Sequence, residues 1–142
     1  MQVREIMSSN VKQIGSSAMI AEAAERMRKY DVGVLPVIQD RKTIGLITDR
    51  DIVIRAVAAG IDPRTTPVKD VITPGAVCCN EHEEVEKAAR LMEDNQVHRV
   101  LVVDSENKMV GILSVGDLAM KTSDEHLAHE VLERVCEPVR GE

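Results

Sequence analysis

The chain has 142 residues, is 44% hydrophobic and 30% charged, and carries a net charge of −6, a composition that suits a soluble globular protein with a core of its own. The acidic balance argues against a general nucleic-acid binder, which carries a basic footprint. One Tyr with no Trp or Phe argues against capture of single strands by stacking on aromatic rings.

No apolar run approaches the ~20 residues of a membrane span. The opening Met1-Gln2-Val3-Arg4-Glu5-Ile6-Met7 lacks the apolar stretch of a secretory leader. No membrane role is therefore expected, and the cytosol is the expected compartment. Cys78, Cys79 and Cys136 make no disulfide framework, and the two neighbours face opposite ways if their segment is a strand.

The chain reads as two copies of one pattern. A slide of 65 positions superposes Val3 on Val68, Ala23 and Ala24 on Ala88 and Ala89, Met27 on Met92, and Val37 on Val102. One extra residue near 105–108 makes the offset 66, so that Gly45 meets Gly111 and Asp51 meets Asp117. The expected divisions are a first repeat over 1–60, a linker over 61–67, a second repeat over 68–121 and a helical tail over 122–142.

In chain order, each copy opens with a short segment (3–7; 68–72) and a brief strand (11–14; 76–79). A helix follows, with Ile20, Ala23, Ala24 and Met27 at i, i+3, i+4, i+7, matched by Val85, Ala88, Ala89 and Met92. Two aliphatic strands come next (34–38 and 44–47; 100–103 and 110–113), of the kind found in sheets covered by helices. A second helix (52–59; 118–121) closes each copy. Gly60, Pro63 and Pro67 break the chain between copies. In the tail, Leu127, Val131, Leu132 and Val135 predict one apolar helical stripe.

The phrase at each junction between strand and second helix carries the chemistry. It is Gly45-Leu46-Ile47-Thr48-Asp49-Arg50-Asp51 in the first copy and Gly111-Ile112-Leu113-Ser114-Val115-Gly116-Asp117 in the second. Thr48-x-x-Asp51 and Ser114-x-x-Asp117 read as capping boxes with a short acid. They also fit a ligand: a helix N-terminus offers N–H groups to a phosphate, the hydroxyl can bond a phosphate oxygen, and the carboxylate can accept both hydroxyls of a ribose. Gly45 and Gly111 permit close approach of a backbone or a ligand. Cys78, Cys79 and His82 lack a second ligand pair at zinc-like spacing, so no metal is expected. No nucleophile–base pairing or phosphate-binding P-loop is visible, so no enzyme activity and no catalytic cofactor are expected.

These phrases, with Val32-Gly33-Val34-Leu35-Pro36-Val37 and Val97-His98-Arg99-Val100-Leu101-Val102-Val103-Asp104 before them, resemble the CBS motif over about residues 1–121. The two copies resemble a Bateman module, of the kind found in small stand-alone CBS proteins. The resemblance implies an α/β (α+β) fold of two β-α-β-β-α units related by a pseudo-twofold, with clefts for adenosine derivatives such as AMP, ADP, ATP, S-adenosylmethionine or NAD. It implies that Thr48 and Asp51 work with Glu81, Val97, His98, Arg99 and Val100. Ser114 and Asp117 would work with Ser16, Met19, Ala21, Val32, Gly33, Val34 and Pro36. The Asp of each pair would hold ribose and the hydroxyl a phosphate, with His98 and Arg99 favouring a charged nucleotide at the first cleft. Leu101 in place of the family proline, and Val115-Gly116 in place of Asp49-Arg50, predict unequal sites. The implied role is a non-catalytic adenine-nucleotide sensor, expected as a homodimer; the alternative is a ligand-independent scaffold that docks on a partner enzyme or transporter.

Overall fold

The computed structural model describes residues 1–136; the end of the expected tail, residues 137–142, lies outside the described residues. The chain divides into two compact units that cut across the sequence repeat. One is continuous, Lys12–Ala76, and the other joins Met1–Val11 to the chain from Val77 onward.

In the continuous unit, β1 (Ile14–Gly15) precedes α1 (Ile20–Tyr30), which is followed by β2 (Val34–Gln39) and β3 (Lys42–Thr48). The chain then enters α2 (Asp49–Asp51), and the start of the second repeat adds β4 (Thr73–Pro74). The sheet order is β1-β2-β3-β4, with β1 parallel to β2 and the other pairs antiparallel. Asp40 and Arg41 both have positive φ (52° and 67°) between paired Gln39 and Lys42, as a tight two-residue hairpin requires. Ile20, Ala23 and Met27 bury one face of α1 against Leu35, Val37 and Ile47.

The two-segment unit repeats this plan. Its sheet is β5 (Cys78–Asn80), β6 (Arg99–Val103) and β7 (Met109–Ser114) in that order. Its helices are α3 (Val85–Asn95), α4 (Val115–Lys121) and α5 (Glu125–Val135). The extra residue of this copy falls in the turn after β6, where Asp104 Oδ1 accepts from the N–H groups of Glu106 and Lys108. The left-handed C-caps match across copies, Asp31 on α1 and Gln96 on α3. So do the bulges, at Val37/Ile38 and Val102/Val103.

The opening segment of each sequence copy packs on the body of the other copy. Val3 and Ile6 are buried in the core of the two-segment unit, where Val3 N donates to Glu83 O and Arg4 N to Glu81 O. Ser8 and Ile112 exchange both backbone hydrogen bonds, at 2.9 and 3.0 Å. Their counterparts Val68 and Val71 are buried in the continuous unit, where Val68 N donates to Ala18 O at 2.8 Å.

The remaining differences from expectation have local causes. The brief strands sit later than the sequence suggests, at 14–15 and 78–80. The helix expected over 52–59 is one α-turn followed by a π-helix, Ile52–Val57, in which Ala58 N reaches back to Val53 O and Ile61 N to Ala56 O. Ala89 is buried on α3 while its counterpart Ala24 is exposed on α1. The reason is α5, which packs on α3 and α4 and adds Val131 and Val135 to the core. Leu132 is 48% exposed, because positions 127, 131 and 135 form the stripe and 132 lies about 100° round from 131. Among the described residues no helix is long and apolar enough to cross a membrane.

Candidate functional site: two hydroxyl–carboxylate clasps

The alternation of β3 drives Ile47 into the core and leaves Thr48 half-buried at the strand end. Thr48 is extended (φ −114°, ψ 161°) and is the N-cap of α2. Its Oγ1 accepts from Asp51 N at 3.1 Å, and Asp51 Oδ2 accepts from Thr48 N at 2.9 Å. The second copy is nearly superposable. Ser114 has φ −114° and ψ 163°, its Oγ accepts from Asp117 N at 3.1 Å, and Asp117 Oδ2 accepts from Ser114 N at 2.9 Å. Both phrases are therefore reciprocal capping boxes.

The other carboxylate oxygen faces a cation four residues on. Arg55 Nε lies 3.9 Å from Asp51 Oδ1, and Lys121 Nζ lies 3.1 Å from Asp117 Oδ1. Asp51 Oδ1 also accepts from Thr73 Oγ1 at 3.3 Å. Arg55 donates to Ile72 O and Val71 O, and Lys121 to Ile6 O, so each cation ties its clasp to the opening segment packed on that unit. Sequence reading passed over Arg55, Thr73 and Lys121. The i, i+4 acid-to-base spacing, repeated at the same offset, was the available signal.

Chemically, each clasp has capacity left over. A hydroxyl that accepts from a backbone N–H still has its own proton to donate, and carboxylate oxygens hold more than one lone pair each. Free N–H groups are scarcer than the sequence suggests. Asp49 N donates to Gly33 O, and Arg50 N is capped by Asp49 Oδ1 at 2.9 Å. In the second copy Val115 N donates to His98 O, and the Val115 side chain has no acceptor to offer Gly116. Val115 is buried, 7% exposed, whereas Asp49 is exposed, so this substitution follows the core.

The other site residues fall as follows. In the continuous unit, Val34 pairs with Thr48 and Pro36 with Leu46, and Gly33 leaves room for the Asp49 carboxylate, 3.1 Å from where a Cβ would stand. Ser16 and Pro36 are buried, while Met19, Ala21 and Val32 are half-buried. In the two-segment unit, Arg99 pairs with Ser114 and Val100 with Leu113. Val100 is buried, His98 is exposed, and Glu81, Val97 and Arg99 are half-buried. Thus Gly33 and Val34 adjoin Thr48, and His98 and Arg99 adjoin Ser114, each within one unit. Neither His98 nor Arg99 forms an ion pair among the described residues. Gly45 and Gly111 serve the backbone, since a Cβ would strike Thr73 O at the first and Ser8 O at the second.

Cys78 is exposed and Cys79 buried, on opposite faces of β5 as expected. Burial pushes the Cys79 thiol up to about 12, with the Glu83 carboxylate adding to the shift. Alkylation at pH 8 is expected to label exposed Cys136 and to spare Cys79 until denaturant is added, as mass spectrometry of the labelled peptides can show. The sign of the linked stability follows. An unfolded thiol ionises near 9 and the folded one near 12, so stability falls as pH rises through that window. A Cys79→Ala variant is expected to lose that component of the fall in Tm. Among the described residues no group of three or more His, Cys, Asp or Glu is placed to hold a metal ion.

The family model for the CBS domain matches residues 3–57 and 68–123. The chain is 34% identical to Hypoxic response protein 1 of Mycobacterium tuberculosis over 137 residues, covering 96% of this chain and 94% of that protein. It is also similar to the solved CBS domain pair of protein MJ0100 in complex with 5′-methylthioadenosine and S-adenosyl-L-methionine. There the TM-score is 0.73 at 28% identity, covering 84% of this chain and 93% of that one. For CBSX2 in complex with AMP the TM-score is 0.68 at 26% identity, covering 83% and 93%. With its family model matched twice and each copy closing on the same hydroxyl–carboxylate clasp, the chain belongs to the CBS-domain family.

Proposed function

We propose that the chain is a non-catalytic sensor that binds an adenosine-containing ligand, AMP, ADP or ATP in the first instance and S-adenosylmethionine or NAD as further candidates. The observation that carries this reading is the duplicated clasp, each copy with a hydroxyl proton to donate and a carboxylate able to accept more hydrogen bonds. Asp51 and Asp117 would accept from ribose hydroxyls, and Thr48 and Ser114 would donate to a phosphate oxygen. Arg99 and His98, without ion-pair partners among the described residues, would meet phosphate charge. Val32, Val34, Val97, Met19 and Ala21 would flank the base, with Ser16, Gly33, Pro36, Glu81 and Val100 completing the sites. The ligands named for MJ0100 and CBSX2 support the adenosine class.

The working form in this reading is a homodimer in the cytoplasm. Val53, Ile54 and Val57 of the π-turn are 54%, 51% and 66% exposed, a row of aliphatic residues suited to a second copy. Ligand acts on such an assembly by binding one of its arrangements more tightly.

The scaffold reading draws on one observation, that reciprocal capping alone accounts for both pairs. A thermal-shift panel of AMP, ADP, ATP, NAD and S-adenosylmethionine separates the two. A ligand bound only by the folded state raises Tm, and the sensor reading expects at least one to do so. No shift from any of the five at millimolar concentration favours the scaffold.

A further inference from the structure

The continuous unit has a concavity that shares no residue with its clasp. Its volume is about 530 Å³, within the range of small-ligand sites. One wall is the stretch Lys12-Gln13 before β1, and the other is the face of α1 carrying Glu22, Glu25, Arg26, Lys29 and Tyr30. Tyr30 is the only aromatic residue of the chain. Two ammonium groups converge on its ring, Lys12 Nζ at 4.7 Å and Lys29 Nζ at 5.4 Å from the centroid.

The charge balance in this concavity is uneven. Glu25 is paired with Arg28 at 2.6 Å and Glu22 with Arg26 at 3.9 Å. The Arg26 guanidinium also donates to the Gln13 carbonyl. Lys12 and Lys29 have no carboxylate partner among the described residues. In a chain of net charge −6, they are two unneutralised cations in one hollow. A cation on an aromatic face is held more weakly than one hydrogen-bonded to an anion, so the ring positions both groups without satisfying them. An ammonium has three donors and no acceptor. Two that converge are best met by an anion with several oxygens and at least two charges, since a monocarboxylate can bridge them but neutralises only one.

We propose that this concavity binds a compact phosphoanion, such as a diphosphate group, through Lys12 and Lys29 beside the Tyr30 ring. The site is independent of the adenosine reading. Because Tyr30 is the sole tyrosine in a chain without tryptophan, its emission reports on this place alone. The full chain is titrated with inorganic pyrophosphate at fixed ionic strength, with calorimetry as a second readout and acetate as the control salt. A saturable response is expected, weakened about tenfold or more in Lys12→Gln/Lys29→Gln and retained in Asp51→Ala/Asp117→Ala. ADP titrated into that clasp variant tells whether the diphosphate can come from a nucleotide or only from the free anion. The proposal is overturned if pyrophosphate gives no saturable response at millimolar concentration, or if acetate reproduces it. It is equally overturned if the lysine variant binds like wild type, or if the clasp variant loses the response.

Discussion

Deletion of residues 1–11 is expected to unfold the two-segment unit and to leave the continuous unit, Lys12–Ala76, standing. The opening segment is core to the former. Val3 is 0% and Ile6 3% exposed, each contributing about 1.5–3 kcal/mol by burial. The deletion also removes the hydrogen bonds from Val3 N and Arg4 N to Glu83 O and Glu81 O, the pair between Ser8 and Ile112, and the Lys121 bond to Ile6 O. Domain stability totals only about 5–15 kcal/mol, so the loss is a large share of it. Hydrogen exchange read by mass spectrometry should show protection lost across α3, β6, β7 and α4, and kept across α1, β2 and β3. Equal loss in both units would contradict the assignment of the opening segment to one of them.

The second large effect is expected from a single methyl group. In Gly45→Ala the new Cβ meets Thr73 O inside the 3.0 Å below which real Cβ contacts essentially never occur. The neighbour is backbone of β4, a strand of two residues, so β4 must shift off the sheet edge. In Gly111→Ala the Cβ meets Met7 Sδ at 2.6 Å and Ser8 O at 2.8 Å, pressing on the same opening segment whose loss is predicted above. Each substitution is expected to cost about 1–3 kcal/mol, as overpacking does, seen as a lower denaturation midpoint. Gly33→Ala is the control. Its Cβ would meet only the Asp49 carboxylate, at 3.1 Å, and that exposed side chain can turn away, so its midpoint should barely move.

Much of this was legible in the chain because local pattern and tertiary position agree. The aliphatic runs that become β2, β3, β6 and β7 are buried as read, and the extra residue near 105–108 is a longer turn after β6. The opening segments show why other parts were not. Val3 and Ile6 resemble Val68 and Val71, so apolar pattern is degenerate as to which body each segment joins. Ala24 and Ala89 occupy the same place on equivalent helices, and only the distant α5 buries one of them. The π-turn after Asp51 carries no glycine or proline to mark it.

The clasps were legible as caps because Thr48-x-x-Asp51 and Ser114-x-x-Asp117 are local. Thr73 on Asp51 was not, since it depends on where the start of the second copy packs, whereas Arg55 and Lys121 stood within reach at i+4. The dual use of the clasp sets the contrast that decides its role. As a cap alone, Asp51 or Asp117 replaced by Ala costs about 0.5–2 kcal/mol of stability and nothing else. As a ribose clasp, the same change removes a ligand.

Calorimetric titration of the wild-type chain and of Asp51→Ala/Asp117→Ala with AMP and S-adenosylmethionine tests this most directly. The adenosine reading predicts saturable binding of at least one of them to the wild type, lost in a variant whose circular dichroism remains that of a folded chain. Unchanged binding in the folded variant, or no binding to the wild type at millimolar ligand, would contradict it.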